Sequence, residues 1–119
     1  MLTVIDSGPL STVQDRGRPG WCSVGVGSSG AADRRSFALG NRLVGNRPVD
    51  HAVSAASIES VMGGLSVRAE TTIVVAVTGA PAPITVDGSA MGHSTVILLR
   101  AGQVLALGRP ATGLRCYLA

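Results

Sequence analysis

The side chains best suited to chemistry lie in a glycine-rich segment, residues 8–33, which mixes Gln, Asp and Arg with glycines. Gln14 and Asp15 offer acceptor oxygens, and Arg18 offers forked donors that match a carboxylate or phosphate. Gly17 and Gly30 tolerate backbone angles that other residues resist, so the segment can curl with its N–H groups inward. We predict a site here for a small polar or anionic ligand. The alternative is a surface loop whose glycines form turns.

Each polar residue of this segment has a functional and a structural interpretation. Arg18 is the first candidate for an anion contact, and an ion pair with Asp15 or Asp33 is the alternative. Asp15 is predicted to orient a substrate or to act as a base, although an Asp before a glycine-rich turn often closes that turn. Gln14 suits recognition of an amide and can equally brace the loop.

Two further sets of residues are candidates for ligand contacts. Ser29 and Gly30 precede a predicted helix, where backbone N–H groups can bind an anion, but the segment lacks the lysine and the spacing of a P-loop. Glu59 lies in an otherwise apolar strand, so it is either a site carboxylate or the buried partner of an arginine. Asp15 and Arg18 are thus the predicted catalytic residues. The predicted substrate-binding residues are Gln14, Gly17, Ser29, Gly30 and Glu59.

The histidines and cysteines suggest no metal centre. His51 and His93 lie in turn-rich stretches without metal-like neighbours, and both are predicted to be solvated. Cys22 and Cys116 are far apart and outside any CxxC pattern, so we predict two buried thiols.

The composition predicts a single domain that is built mainly of strands. The chain has 119 residues, of which 45% are hydrophobic and only 3% aromatic, so Val, Leu, Ile and Ala must form the core. One helix is predicted over residues 31–44, with Ala32, Leu39 and Leu43 on its buried stripe and Phe37 and Val44 widening that stripe. Residues 28–30 are predicted to cap its start, and Gly45 and Pro48 to end it.

Short apolar or alternating runs predict strands along the rest of the chain. Residues 72–78 are apolar enough for burial on both faces, and Asp87-Gly88 indicates a hairpin. The last strand is predicted to carry an unpaired edge if another segment continues its sheet. One helix and many strands without βαβ alternation favour a β-barrel or sandwich. The predicted strands are residues 2–5, 56–61, 65–69, 72–78, 84–86, 94–100, 104–107 and 114–118.

Charge and hydropathy argue against two classes of partner. The formal charge is +3, but all ten basic residues are scattered arginines without interleaved aromatics, so nucleic-acid binding is not expected. The longest apolar stretches are far shorter than a bilayer span, so no integral membrane protein is expected. The first residues lack the basic head and apolar stretch of a secretion signal, which favours the cytoplasm.

Several ordered motifs carry a resemblance to a known family. With x for any residue, the motifs are STVQDxGRxG at 11–20, GV at 25–26 with SGAxD at 29–33, NRLVGN at 41–46, IE at 58–59, GG at 63–64, VTGA at 77–80, AGQxL at 101–105 and RxYLA at 115–119. This succession resembles the allophanate hydrolase subunit 2 family, also called the biotin-dependent carboxyltransferase or KipA family. Relatives usually carry Met at position 32 and Ala at position 40. Gly40 is therefore expected to weaken the helix by about 1 kcal/mol.

The resemblance implies a cyclophilin-like β-barrel and, because relatives are about twice this length, an N-terminal lobe spanning residues 1–119. It implies a KipI-type sister subunit, possibly a LamB/YcsF-type subunit, and an active site shared with them. The implied reaction is ATP-dependent opening of 5-oxoproline, a small polar amide, to glutamate, with no activity of the lobe alone. The alternatives are carboxyl transfer from carboxybiotin to urea, regulatory capture of a KipI-type kinase inhibitor, and an incomplete gene product.

Overall fold

The computed structural model describes residues 1–46 and 55–119 and confirms a mainly β protein with one principal α-helix. These residues form two antiparallel sheets of five strands each, rather than one closed barrel. The elements in chain order are β1 (Leu2–Ser7), β2 (Leu10–Gln14), a 3-10 turn (Cys22–Val24), α1 (Arg34–Leu43), β3 (Ser57–Val61), β4 (Leu65–Ala69), β5 (Ile73–Gly79), β6 (Ile84–Val86), β7 (Ser89–Met91), β8 (Val96–Leu99), β9 (Val104–Leu107) and β10 (Arg115–Leu118).

The apolar core is formed by side chains from both sheets. The strand order is β1-β4-β9-β6-β7 in the first sheet and β2-β3-β10-β5-β8 in the second. In β4, Leu65 and Val67 are buried whereas Arg68 is exposed, as the alternating pattern predicts. In β5 the burial on both faces is confirmed from Val75 onward, but Val74 is exposed.

Two turns show how far local signals determine strand pairing. Asp87 and Gly88 have φ of 48° and 82° and join β6 to β7 as an antiparallel hairpin, which confirms the prediction. The tight turn at residues 101–103 joins β8 to β9, but these strands pair in different sheets. β8 pairs with β5, and β9 pairs with β4 and β6.

Two expectations about the second sheet are wrong. Residues 10–14, assigned above to the glycine-rich loop, form the strand β2, which pairs antiparallel with β3 from Leu10↔Val61 to Gln14↔Ser57. The strand β10 has no free edge, because it lies between β3 and β5 and pairs with both. This central position places the side chains of β10 between those of two neighbouring strands.

The helix begins later than predicted. Asp33 is the N-cap, with extended backbone angles, and its side chain accepts hydrogen bonds from the N–H groups of Arg35 and Ser36. Residues 28–30 therefore do not cap the helix, and α1 starts at Arg34. The predicted end signal Pro48 lies outside the described residues. Within those residues, no helix is long and apolar enough to cross a lipid bilayer.

The buried face of α1 matches the predicted stripe only in part. Phe37 is buried as predicted, but Gly40 and Asn41 are also buried, whereas Leu39 is 40% exposed and Ala32 is exposed. The side-chain amide of Asn41 donates to the Ser57 hydroxyl at 3.0 Å, so a polar residue is satisfied in this interface.

Gly40 allows the helix to approach the second sheet closely. A Cβ at this position would lie 3.1 Å from Thr78 Oγ1 and 3.3 Å from the Ala119 Cβ. The Thr78 hydroxyl donates to the carbonyl of Ser36 at 2.7 Å and ties α1 to β5. The glycine that lowers helix propensity thus fits this packing.

Candidate functional site

Residues 15–30, which we call the glycine coil, close on themselves through short hydrogen bonds. The Asp15 carboxylate accepts from the N–H of Gly17 at 2.6 Å, and the N–H of Arg18 donates to the Ser28 carbonyl at 2.6 Å. The N–H of Ala31 donates to the Asp15 carbonyl at 2.9 Å and closes the base of the coil. These N–H groups therefore bond to the protein itself and do not point toward a ligand, contrary to the sequence-based expectation.

Gly17 and Gly30 are needed where the two halves of the glycine coil touch. Both have positive φ, +76° and +83°. A Cβ on Gly17 would lie 2.3 Å from the Ser28 carbonyl oxygen, and a Cβ on Gly30 would lie 2.4 Å from the Gly17 nitrogen. Around Gly25, by contrast, an added Cβ meets no atom within 4 Å. Close backbone contact thus accounts for the first two glycines.

The polar side chains near the glycine coil also contact neighbouring protein groups. Arg18 Nε donates to the Gly27 carbonyl at 3.3 Å, and within residues 1–46 and 55–119 it forms no ion pair with Asp15 or Asp33. Gln14 donates to Thr12 Oγ1 at 3.1 Å. Ser29 is exposed, with φ of 53°. The roles of these residues in ligand binding stay predictions.

Glu59 lies at the centre of a different cluster, which joins β3, β10 and the start of α1. Its side chain is 8% exposed. Oε2 accepts from the N–H of Ala32 at 3.0 Å and from the Tyr117 hydroxyl at 2.8 Å, and Oε1 accepts from Arg115 Nε at 3.0 Å. We call Glu59, Arg115 and Tyr117 the Glu59 network. Glu59 was interpreted either as the buried partner of an arginine or as a site carboxylate. The arginine partner is Arg115, and a direct contact of Glu59 with substrate stays a prediction.

Tyr117 connects the carboxylate of Glu59 to the helix. Its ring is fully buried and packs edge-on against Phe37, with ring centroids 6.4 Å apart. Its oxygen accepts from the N–H of Asp33 at 2.7 Å while the hydroxyl donates to Glu59. Desolvation, with a smaller contribution from Glu59, raises the pKa of Tyr117 to about 12. The hydroxyl therefore keeps its proton at neutral pH and donates a hydrogen bond to Glu59.

Four N–H groups at the start of α1 are already paired. Glu59 and Tyr117 accept from the N–H groups of Ala32 and Asp33, and the Asp33 carboxylate accepts from those of Arg35 and Ser36. Hydrogen bonds from the Ser36 side chain and backbone lower the pKa of Asp33, so this carboxylate is ionised at neutral pH. These four donors are not available to an anion, and the anion site expected at Ser29 and Gly30 stays a prediction.

An open cleft of about 410 Å³ adjoins the Glu59 network. Arg115 connects the two features, because its side chain is 39% exposed, lines the cleft and is anchored by Glu59. The cleft thus has one cationic donor, Arg115, and one carboxylate, Asp33, on its walls. The lining residues are Ala32, Asp33, Ser36, Gly79, Ala80, Gly113, Leu114 and Arg115.

The remaining predicted residues lie away from this network or outside the described chain. Cys116 is buried as predicted, and burial raises the pKa of its thiol, but Cys22 is exposed because it lies in the 3-10 turn Cys22–Val24, which buries none of its residues. His93 is half-buried, with Nε2 3.2 Å from the Ala80 carbonyl. His51 lies outside the described residues. Within them, no group of three or more His, Cys, Asp or Glu could hold a metal ion.

Arg115 and Tyr117 belong to the candidate site but were not among the residues predicted for it. In the sequence they appeared only in the RxYLA motif at 115–119. A usable signal was the alternation in β10, where polar Arg115 and Tyr117 alternate with Cys116 and Leu118 and so lie on the same face. Their link to Glu59 arises because Tyr117 is paired directly with Glu59 in the ladder between β10 and β3.

Comparison with known proteins shows the family to which this chain belongs. Residues 24–119 match the family described as "Carboxyltransferase domain, subdomain A and B". The chain belongs to this carboxyltransferase domain family. The resemblance drawn from the motifs is therefore confirmed. The matched range includes the Glu59 network and begins after Gln14, Asp15, Gly17 and Arg18.

Curated relatives of this carboxyltransferase domain are of two kinds. The chain is 38% identical over 119 residues to the 5-oxoprolinase C subunit of Escherichia coli (strain K12), which is 100% of this chain and 37% of the relative. It is 36% identical over 112 residues to urea amidolyase of Saccharomyces cerevisiae, covering 93% of this chain and 6% of the relative. The chain thus spans about a third of the 5-oxoprolinase relative and a small part of urea amidolyase.

Solved structures confirm the fold. The crystal structure of Kluyveromyces lactis urea carboxylase superposes with a TM-score of 0.90 at 31% identity, over 99% of this chain and 10% of that chain. The K. lactis urea amidolyase structure matches with the same score and identity over 7% of its chain. The fold of this chain is therefore that of the matching region in these two structures.

Proposed function

We propose that this carboxyltransferase domain is one lobe of a 5-oxoprolinase-type enzyme, comprising residues 1–119. In this proposal it supplies one wall of an active site that opens 5-oxoproline to glutamate, in a cytoplasmic assembly with a KipI-type sister subunit and a LamB/YcsF-type subunit. The main observation in support of this proposal is the cleft of about 410 Å³ beside the Glu59 network. The match to the 5-oxoprolinase C subunit along the whole chain supports it.

The chemistry of the cleft suits such a substrate. 5-Oxoproline is a small lactam with a carboxylate, and opening its amide develops negative charge on the carbonyl oxygen. Fixed donors lower such a barrier by stabilising that charge and by holding the substrate in place. Arg115 is a fixed donor beside the cleft, because Glu59 holds its Nε at 3.0 Å, and its forked donors suit the substrate carboxylate.

The cleft does not fit ATP, which the resemblance implies for the assembled enzyme. Its wall has a single cationic side chain, Arg115, and the chain contains no lysine and no P-loop. A triphosphate calls for several cations or a nest of free N–H groups, and the N–H groups of Ala32 and Asp33 are already bonded. We therefore place ATP elsewhere in the assembly and assign no step of its chemistry to this chain.

Reconstitution tests the proposal. The chain is combined with the remaining lobe, the KipI-type subunit and the LamB/YcsF-type subunit, and glutamate formation from 5-oxoproline is followed with and without ATP. The expected result is ATP-dependent glutamate formation that requires this chain. An equal rate in the mixture that lacks it would refute the proposal.

A second candidate is carboxyl transfer from carboxybiotin to urea. It is supported by the urea carboxylase structure, which superposes with a TM-score of 0.90. The cleft does not fit biotin, because the charged side chains on its walls, Asp33 and Arg115, do not match the uncharged bicyclic ring, so no step is routed through it. Adding a biotin carboxylase and biotinylated carrier to the same mixture separates the candidates. Biotin-dependent urea carboxylation without 5-oxoproline opening would favour this second reaction.

A further inference from the structure

Arg115 is anchored through one edge of its guanidinium only. Nε donates to Glu59 Oε1 at 3.0 Å, while Oε2 of the same carboxylate is occupied by Ala32 N–H and the Tyr117 hydroxyl. A two-pronged Arg–carboxylate pair is therefore not formed. In the part of the chain that the structure describes, Nη1 and Nη2 of Arg115 donate no hydrogen bond. The two terminal nitrogens form an edge with paired donors that are left for a ligand.

The anchor of Arg115 is itself held firmly. Glu59 lies in β3 beside β10, and the N–H of Ala80 donates to the Arg115 carbonyl at 2.8 Å. Arg115 is thus held at its backbone carbonyl and at its Nε before any ligand binds. Binding to such a donor loses less conformational entropy than binding to a free arginine side chain.

The charges around the cleft disfavour a dianion more than a monoanion. The Glu59 carboxylate neutralises Arg115 at 3.0 Å, so recognition depends on the paired donors more than on net charge. The ionised Asp33 carboxylate lines the same cleft. Because like charges repel, Asp33 disfavours a dianion such as phosphate more than a single carboxylate.

We propose that the terminal nitrogens of Arg115 bind the carboxylate of a small lactam acid, with Glu59 as the positioning residue. The inference rests on the proposed function, which supplies the substrate class. It deepens that function by assigning the recognition of the carboxylate to Arg115 and by excluding neutral amides as good ligands of this cleft.

A binding experiment on the full chain, without ATP or other subunits, tests this assignment. Ligand-observed NMR titrations use sodium 5-oxoproline, 2-pyrrolidinone (the same ring without a carboxylate) and inorganic phosphate. Saturable binding of 5-oxoproline is expected, with the other two weaker by about tenfold or more. Arg115→Lys keeps the charge but loses the fork, so it is expected to weaken 5-oxoproline binding about tenfold.

The matched control is Arg68→Lys. Arg68 Nε pairs with Glu70 Oε1 at 3.2 Å, which is the same type of contact at an exposed position of β4, outside the residues that line the cleft. This variant should bind 5-oxoproline as the wild type does. Sodium acetate should compete for the site in the wild-type protein, a measurement that needs no variant.

Three outcomes would overturn the assignment. The first is that 5-oxoproline shows no saturable binding up to about 100 mM. The second is that the Arg115 and Arg68 variants lose affinity for 5-oxoproline equally. The third is that phosphate binds more tightly than 5-oxoproline. Failure of the proposed function looks different. Binding would depend on Arg115, but the reconstituted assembly would not open 5-oxoproline.

Discussion

The glycine coil and the Glu59 network are both polar, but they are stabilised in opposite ways. The glycine coil closes through bonds between near neighbours, such as Gly17 N–H to Asp15 and Arg18 N–H to Ser28. The Glu59 network joins Glu59 to Arg115 across 56 positions of sequence. The coil uses its polar groups for its own turns, whereas the network leaves a donor edge of Arg115 facing a cleft. Polar residues that cluster in sequence thus bond mainly within their own segment, whereas polar residues from separate strands converge beside the cleft.

The largest effect on stability is expected from Glu59→Ala. The change leaves the guanidinium of Arg115, the hydroxyl of Tyr117 and the N–H of Ala32 without their common acceptor. We expect the free energy of unfolding to fall by about 3 kcal/mol. Urea denaturation followed by tryptophan fluorescence measures the change.

The control for this variant is Glu70→Ala, which removes the exposed partner of Arg68. Its expected effect is below about 1 kcal/mol, since exposed ion pairs contribute little. Equal losses for the two variants would contradict the central position of Glu59.

The glycine coil is tested by a pair of glycine substitutions. Gly17→Ala places a Cβ against the Ser28 carbonyl, whereas Gly25→Ala has the same kind of positive φ and open space around it. We expect a loss of about 2 kcal/mol for the first variant and about 1 kcal/mol for the second. The same urea denaturation gives both values. Similar losses would show that the φ angle alone, and not close backbone contact, accounts for Gly17.

An effect smaller than those of Glu59→Ala and Gly17→Ala is expected from Tyr117→Phe, which removes one hydroxyl and keeps the ring. The loss of the bonds to Asp33 and Glu59 is expected to lower the free energy of unfolding by about 1.5 kcal/mol at neutral pH. A pH-dependent part follows from the pKa of about 12, which lies above the ordinary value of 10.0. A raised folded pKa contributes stability that is present below pH 10.0 and is lost as the pH rises toward about 12.

This pH dependence can be followed directly, because Tyr117 is the single tyrosine of the chain. The ultraviolet absorbance of its phenolate should titrate with a midpoint near 12, and the Tyr117→Phe protein should show no such transition. A midpoint near 10.0 would mean that the hydroxyl is not desolvated.

Local patterns were sufficient for much of the fold. The alternation in β4 and the Asp87-Gly88 turn predicted their strands because both signals depend on neighbouring residues. The buried face of α1 was predicted only in part because its packing depends on partners that are distant in sequence: Ser57 satisfies Asn41, and Thr78 lies against Gly40. Hydrophobic periodicity alone places neither of these residues in the interface.

The candidate site was harder to predict for a similar reason. The sequence indicated that Glu59 needs an arginine if it is buried. It did not indicate which arginine, because the pairing of β3 with β10 is set by strand order in the sheet. The strand β2 was missed because Ser11, Thr12 and Gln14 look like loop residues next to so many glycines.

The most direct test compares Arg18 and Arg115 in one sample of the wild-type protein. The side-chain Nε–Hε resonances of both arginines are followed by NMR while sodium 5-oxoproline is added. Our account predicts a saturable shift of the Arg115 resonance and a much smaller change at Arg18, whose Nε donates to the Gly27 carbonyl. A saturable shift at Arg18 with an unmoved Arg115 would contradict it and return the site to the glycine coil.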